Sequence, residues 1–121
     1  MFDKINENFI RCSFFELCSR YLSSYYTFAI EQNNSAGRSD FEMTGIPGTD
    51  YYKDDRLAEF KYFKAKEAER MLALSDPPPE DVAQVLAYAK DTKVKFPHYH
   101  VRSYIVYICA NKGWKCWEVT P

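Results

Sequence analysis

Nothing in this sequence is long and apolar enough to cross a bilayer, which takes roughly 20 consecutive predominantly apolar residues as a helix. The opening Met1-Phe2-Asp3-Lys4-Ile5-Asn6-Glu7-Asn8 is polar and lacks the features of a secretory signal. A soluble, cytoplasmic protein with no membrane partner is the expectation. There is no C-x-x-C pair among the four cysteines, Cys12, Cys18, Cys109 and Cys116, so nothing points to an oxidising compartment and buried free thiols are the reading. A structural zinc site would have to combine His98, His100, Cys109 and Cys116, a spacing that matches no zinc motif. The pattern G-x-x-x-x-G-K-[S/T] is missing, and no ATP chemistry is expected. Internal repeats and low-complexity tracts are missing too.

The chain does hold enough apolar residues for one core. At 121 residues with 46% hydrophobic and 17% aromatic content, residues 1–121 read as a single domain. The formal net charge of −1 hides an uneven spread. Residues 92–121 carry Lys93, Lys95, Arg102, Lys112 and Lys115 against Glu118 alone, and cationic side chains of this kind attract phosphates.

Periodicity orders the elements. Ile5, Phe9, Cys12, Phe14, Leu17 and Tyr21 recur at helical spacing, which predicts a helix over 4–21. Aromatic and β-branched residues predict strands over 24–31, 38–43 and 56–63, with a turn at 32–37 and a loop at 44–55. Strong helix formers fill 64–74, and Pro77-Pro78-Pro79 stops that segment. A helix over 80–91 follows, with Val82, Val85, Leu86 and Ala89 as its apolar stripe. Strands over 101–109 and 114–119 close the chain through a turn at 111–113. The order describes an α/β domain with a mixed central sheet flanked by helices and a right-handed crossover between the third and fourth strands.

Two segments carry chemistry. In an extended run, side chains alternate between faces, so Glu59 and Lys61 share one face while Phe60 points into the other. Asp40, at the head of the preceding strand, can add a second carboxylate, and two carboxylates with a lysine suit a Mg²⁺ site that cuts phosphodiesters. Asp54 and Asp55 compete with Asp40 for the first acidic position.

Gly37-Arg38-Ser39-Asp40, Glu59-Phe60-Lys61 and Gln84-Val85-Leu86-Ala87-Tyr88 together resemble the PD-(D/E)xK nuclease superfamily. More narrowly, the chain resembles the restriction-endonuclease-like domain at the C-terminus of AAA-ATPase-like proteins common in gut Bacteroidetes. The resemblance runs from the first helix to the last strand and implies an αβββαβ core with an extra C-terminal strand. It implies that Asp40, Glu59 and the carbonyl of Phe60 hold Mg²⁺ or Mn²⁺, and that Lys61 orients the attacking water or stabilises charge on the phosphate. Gln84 and Tyr88, one helical turn apart, correspond to a pair that approaches the active site or the substrate backbone. Glu31 also matches a family position, where it would set Arg38 or the turn.

The implied function is metal-dependent hydrolysis of nucleic acid phosphodiester bonds, with DNA as the leading partner. The alternative is a catalytically silent nuclease-fold module that binds protein or nucleic acid, in one version as a homodimer that buries an aromatic flank.

Overall fold

The computed structural model describes residues 16–18, 20–34, 37–110 and 112–120, and for 30–34 and 37–40 the backbone alone. Five strands form one sheet in the order β1 (Tyr26–Asn34), β2 (Gly37–Gly45), β3 (Asp54–Phe63), β4 (His100–Cys109) and β5 (Gly113–Val119). The pairs β1/β2, β2/β3 and β4/β5 are antiparallel, whereas β3 and β4 run parallel. A parallel neighbour cannot be reached by a tight turn. The chain therefore crosses over through two helices, α1 (Ala65–Leu72) and α2 (Pro79–Lys95).

The proline run makes this crossover in two pieces. It lets α1 end at Ala73 and then supplies Pro78 and Pro79 to the start of α2, where a missing N–H costs nothing and the fixed φ suits a helix. α2 is longer than the periodicity predicts. Its last turn holds Lys93 and Lys95, which the partial negative charge of a helix C-terminus favours. No helix among the described residues is long and apolar enough to cross a membrane.

Each face of the sheet has its own cluster. On the side of α2, Ile105, Tyr107, Cys109 and Val119 pack with Ala68 and Val85, and Leu57 packs with Tyr88 and Ala89. On the other side, Phe41 and Phe60 pack with Cys18, with Leu22 and Val106 at the margin. Cys18 and Leu22 come from a helical segment at 16–18 and 20–22, while positions 4–15 of the predicted first helix lie outside the described residues. Cys18 and Cys109 are buried free thiols, but Cys116 is exposed, because on β5 it falls on the face away from α2. Cys12 lies outside the described residues.

Several boundaries move. Residues 32–34 belong to β1 and not to a turn, since Asn33 pairs with Arg38 and Asn34 with Gly37. Backbone ladders take polar residues as readily as apolar ones when the strands need not bury them. The loop between β2 and β3 shrinks to 46–53, held by Thr49 N–H to Ile46 O at 3.2 Å and Asp54 N–H to Tyr51 O at 3.0 Å.

Gly45 is where this loop folds back on its own strand. A Cβ there would stand 1.7 Å from the carbonyl oxygen of Tyr51, a backbone atom that cannot turn aside. Gly45→Ala is expected to cost about 1–3 kcal/mol, the range of overpacked sites. Urea unfolding checks it, and an unchanged midpoint would show that the loop yields freely.

Candidate active site

Alternation along β3 decides which groups can meet. Glu59 and Lys61 share the face toward α2, and Phe60 goes into the opposite cluster against Phe41, with ring centroids 6.5 Å apart. The parallel ladder with β4 sets Glu59 beside Ile105 and Lys61 beside Tyr107. Glu59 is only 8% exposed, so the carboxylate lies at the edge of the core and not on an open strand face.

Lys61 has a partner that sequence reasoning did not identify. Its ammonium donates to Asp81 Oδ1 at 2.8 Å, and the Tyr107 hydroxyl donates to Asp81 Oδ2. Asp81 is 3% exposed, in the first turn of α2 where the helix N-terminus favours negative charge. Burial, then the bonded Asp81 carboxylate, push the Tyr107 phenol well above its ordinary range, with smaller contributions from Glu80 and Glu59. An acid in the first helical turn reads as an ordinary surface residue. The only signal for Asp81 was its place in the helix that follows Glu-x-Lys.

Gln84 and Tyr88 do meet, with Gln84 Nε2 donating to Tyr88 Oη at 2.7 Å. Their surroundings differ. Gln84 is exposed, whereas Tyr88 is buried against Leu57 and Ala89, so the inward stripe of α2 is Asp81, Val85, Tyr88, Ala89 and Thr92. The predicted stripe of Val82, Val85, Leu86 and Ala89 is thus rotated toward polar positions. Val82 and Leu86 are only partly buried. The rotation follows from the sheet, which presents Lys61 and Tyr107 to this helix and draws Asp81 inward.

For Asp40, Arg38 and Glu31 the structure describes the backbone. Phe41 pairs with Ala58, and one further step in that register brings position 40 beside position 59. Across β1, position 31 lies between the pairs Ile30–Phe41 and Gln32–Ser39, next to position 40, and Arg38 pairs with Asn33. Positions 31, 40 and 59 therefore form one row across three strands. The side chains of Glu31, Arg38 and Asp40 lie outside the described groups.

The family model of the PD-(D/E)XK nuclease superfamily matches residues 5–118. The chain belongs to this superfamily. Its mixed five-stranded sheet with flanking helices is the restriction-endonuclease-like fold. No curated protein and no solved structure matches the chain.

Two further acids of this PD-(D/E)XK domain occupy places of their own. Asp54 turns to the face away from Glu59, accepting from Arg56 Nε at 2.9 Å and from Tyr26 Oη at 2.5 Å. Asp55 is on the same face as Glu59, but four residues along a strand is about 13 Å. It is fully buried, accepts from Thr44 Oγ1 at 3.0 Å and lies against Glu42, itself 6% exposed. Burial, then the hydrogen bond and charge of Glu42, push the Asp55 carboxyl up to about 9. Neither acid neighbours Glu59, so neither displaces Asp40 as the candidate.

The imagined zinc set is ruled out by its own strand. His100 and Cys109 stand at opposite ends of the ten-residue β4, about 30 Å apart. Among the described residues, no group of three or more His, Cys, Asp or Glu gathers as a metal cluster. Two hollows lie elsewhere. One of about 520 Å³ opens on the far face between Leu22, Phe60 and Trp114, and one of about 660 Å³ opens by Lys90, Lys93 and His100.

Proposed function

We propose that this domain hydrolyses nucleic acid phosphodiester bonds with a divalent metal ion, Mg²⁺ or Mn²⁺. The observation that carries the reading is that Glu59 and Lys61 share one face of β3, with the register bringing position 40 beside 59, in a chain of the PD-(D/E)XK nuclease superfamily. Members of that superfamily generally use divalent metals. The donors suit such an ion. Asp40, Glu59 and the carbonyl of Phe60 are all oxygen ligands, and two carboxylates with one carbonyl leave room for the several waters that Mg²⁺ retains. When bound, the ion would polarise the scissile phosphate and activate water.

The chain's own groups do the rest. Lys61 supplies a point charge where negative charge develops on the phosphate, at a face shielded by α2 and therefore of low dielectric. Its tie to Asp81 keeps the ammonium on the side of Glu59. Glu31 shares the row of positions that holds Asp40, and Arg38 lies two residues before Asp40 on the same strand. Gln84, exposed on α2, is a donor and acceptor for the substrate backbone. Tyr88 acts behind it by fixing its amide.

Incubation of plasmid and single-stranded DNA with Mn²⁺ tests the reading. Wild type should cleave, and Lys61→Ala should cleave about 10²- to 10³-fold more slowly, the loss that follows removal of one stabilising group. Cleavage that survives the substitution unchanged removes Lys61 from the chemistry. A wild type that binds DNA and never cuts it favours the silent module.

A further inference from the structure

We propose that Asp81, backed by Tyr107, is the positioning residue for Lys61, fixing the direction in which the ammonium meets the phosphate. This rests on the nuclease reading above. Lysine carries its charge on a flexible four-carbon stem, and the Lys61 side chain is 33% exposed, so its direction depends on the groups that bind the ammonium. Asp81 does fix it. Its carboxylate is nearly buried, where an unpaired charge would be costly, and both oxygens are engaged: Oδ1 by Lys61 and Oδ2 by Tyr107.

The three groups come from three elements. Lys61 and Tyr107 are register partners on β3 and β4, and Asp81 descends from the first turn of α2, whose backbone is tied by Asp81 N–H to Pro78 O at 3.1 Å. A carboxylate gripped by donors from two strands cannot swing, and the ammonium it holds cannot swing either. The contact with Asp81 commits one N–H of Lys61 and so fixes the axis along which the ammonium points.

The test is Mn²⁺-dependent cleavage of supercoiled plasmid, read as kcat and KM, beside the rise in melting temperature produced by Mn²⁺ alone. Asp81→Asn should lower kcat about 10- to 100-fold, the cost of a small misplacement of a reacting group. KM and the Mn²⁺ shift should stay as in wild type, and Asp81→Glu should recover part of the rate. Added to Lys61→Ala, Asp81→Asn should cause no further loss, since the two act as one unit. A full additional loss in the double variant, or a loss seen in KM or the Mn²⁺ shift alone, overturns the proposal.

The ¹⁵N-¹H signal of the Lys61 ammonium gives a readout that needs no catalysis. It should be distinct in wild type and collapse toward the bulk lysine position in Asp81→Asn; an unmoved signal overturns the positioning role whatever the activity. If wild type cuts nothing, the nuclease reading falls, and a signal that collapses still shows Asp81 orienting Lys61. Should Asp81→Asn not fold, Tyr107→Phe keeps the ion pair and removes its backing. A loss of about threefold to tenfold in kcat with a shifted signal supports the proposal, and no change in either overturns it.

Discussion

Glu59→Gln is expected to reduce Mn²⁺-dependent cleavage by about 10³-fold and to abolish the thermal stabilisation expected of the wild type in Mn²⁺. The substitution keeps the shape of the side chain and removes its charge, and Glu59 is nearly buried at the edge of the α2 face. Metal that binds only the folded chain stabilises it by about 2.7 kcal/mol at a hundredfold excess over Kd, or roughly 10 °C in a domain of this size. Lys61→Ala should separate the two readouts, losing cleavage while keeping the metal shift, because the role proposed for it is toward the phosphate. Asp40→Asn should behave as Glu59→Gln does. If Glu59→Gln keeps the full metal shift, the ion is held elsewhere and the assignment of Glu59 as its ligand falls.

The side of β3 on which Glu59 and Lys61 lie was legible because alternation is a property of extended backbone, whatever surrounds it. The same is true of the element order, since strand and helix periods differ and the triple proline marks the break inside the crossover. What escaped was polar burial. Asp81 is inside because Lys61 and Tyr107 are register partners on two strands joined only through the crossover, and no local pattern carries that information. Tyr88 is absent from the stripe that periodicity predicts, Val82, Val85, Leu86 and Ala89, for the same reason, since the buried face turns to follow Asp81.

Asp55 falls in the loop that the polar stretch before it predicts, yet its strand continues the ladder with Val101 and Thr44. A carboxyl that is wholly buried becomes readable only once its neighbours are known.

Those neighbours lead to the largest stability effect. The Asp55 carboxyl is fully shielded from solvent and lies against Glu42, so ionising it would place two negative charges together in a low-dielectric interior. It is held up at about 9, against an ordinary value of 3.8 in the unfolded chain. Between those values the folded form keeps a proton that the unfolded form has lost. Folding stability is therefore greatest below the unfolded value and falls as pH rises through this window, by up to about 1.4 kcal/mol per pH unit for one proton. From pH 5 to pH 8 the expected loss is about 4 kcal/mol, a large share of what holds a domain together. Asp55→Asn should flatten this slope, because a neutral amide can donate to Glu42 and still accept from Thr44 Oγ1. Urea unfolding of both proteins at pH 5 and pH 8 decides the matter. A wild type as stable at pH 8 as at pH 5, or a slope that survives Asp55→Asn, would mean that the proton is not kept at Asp55.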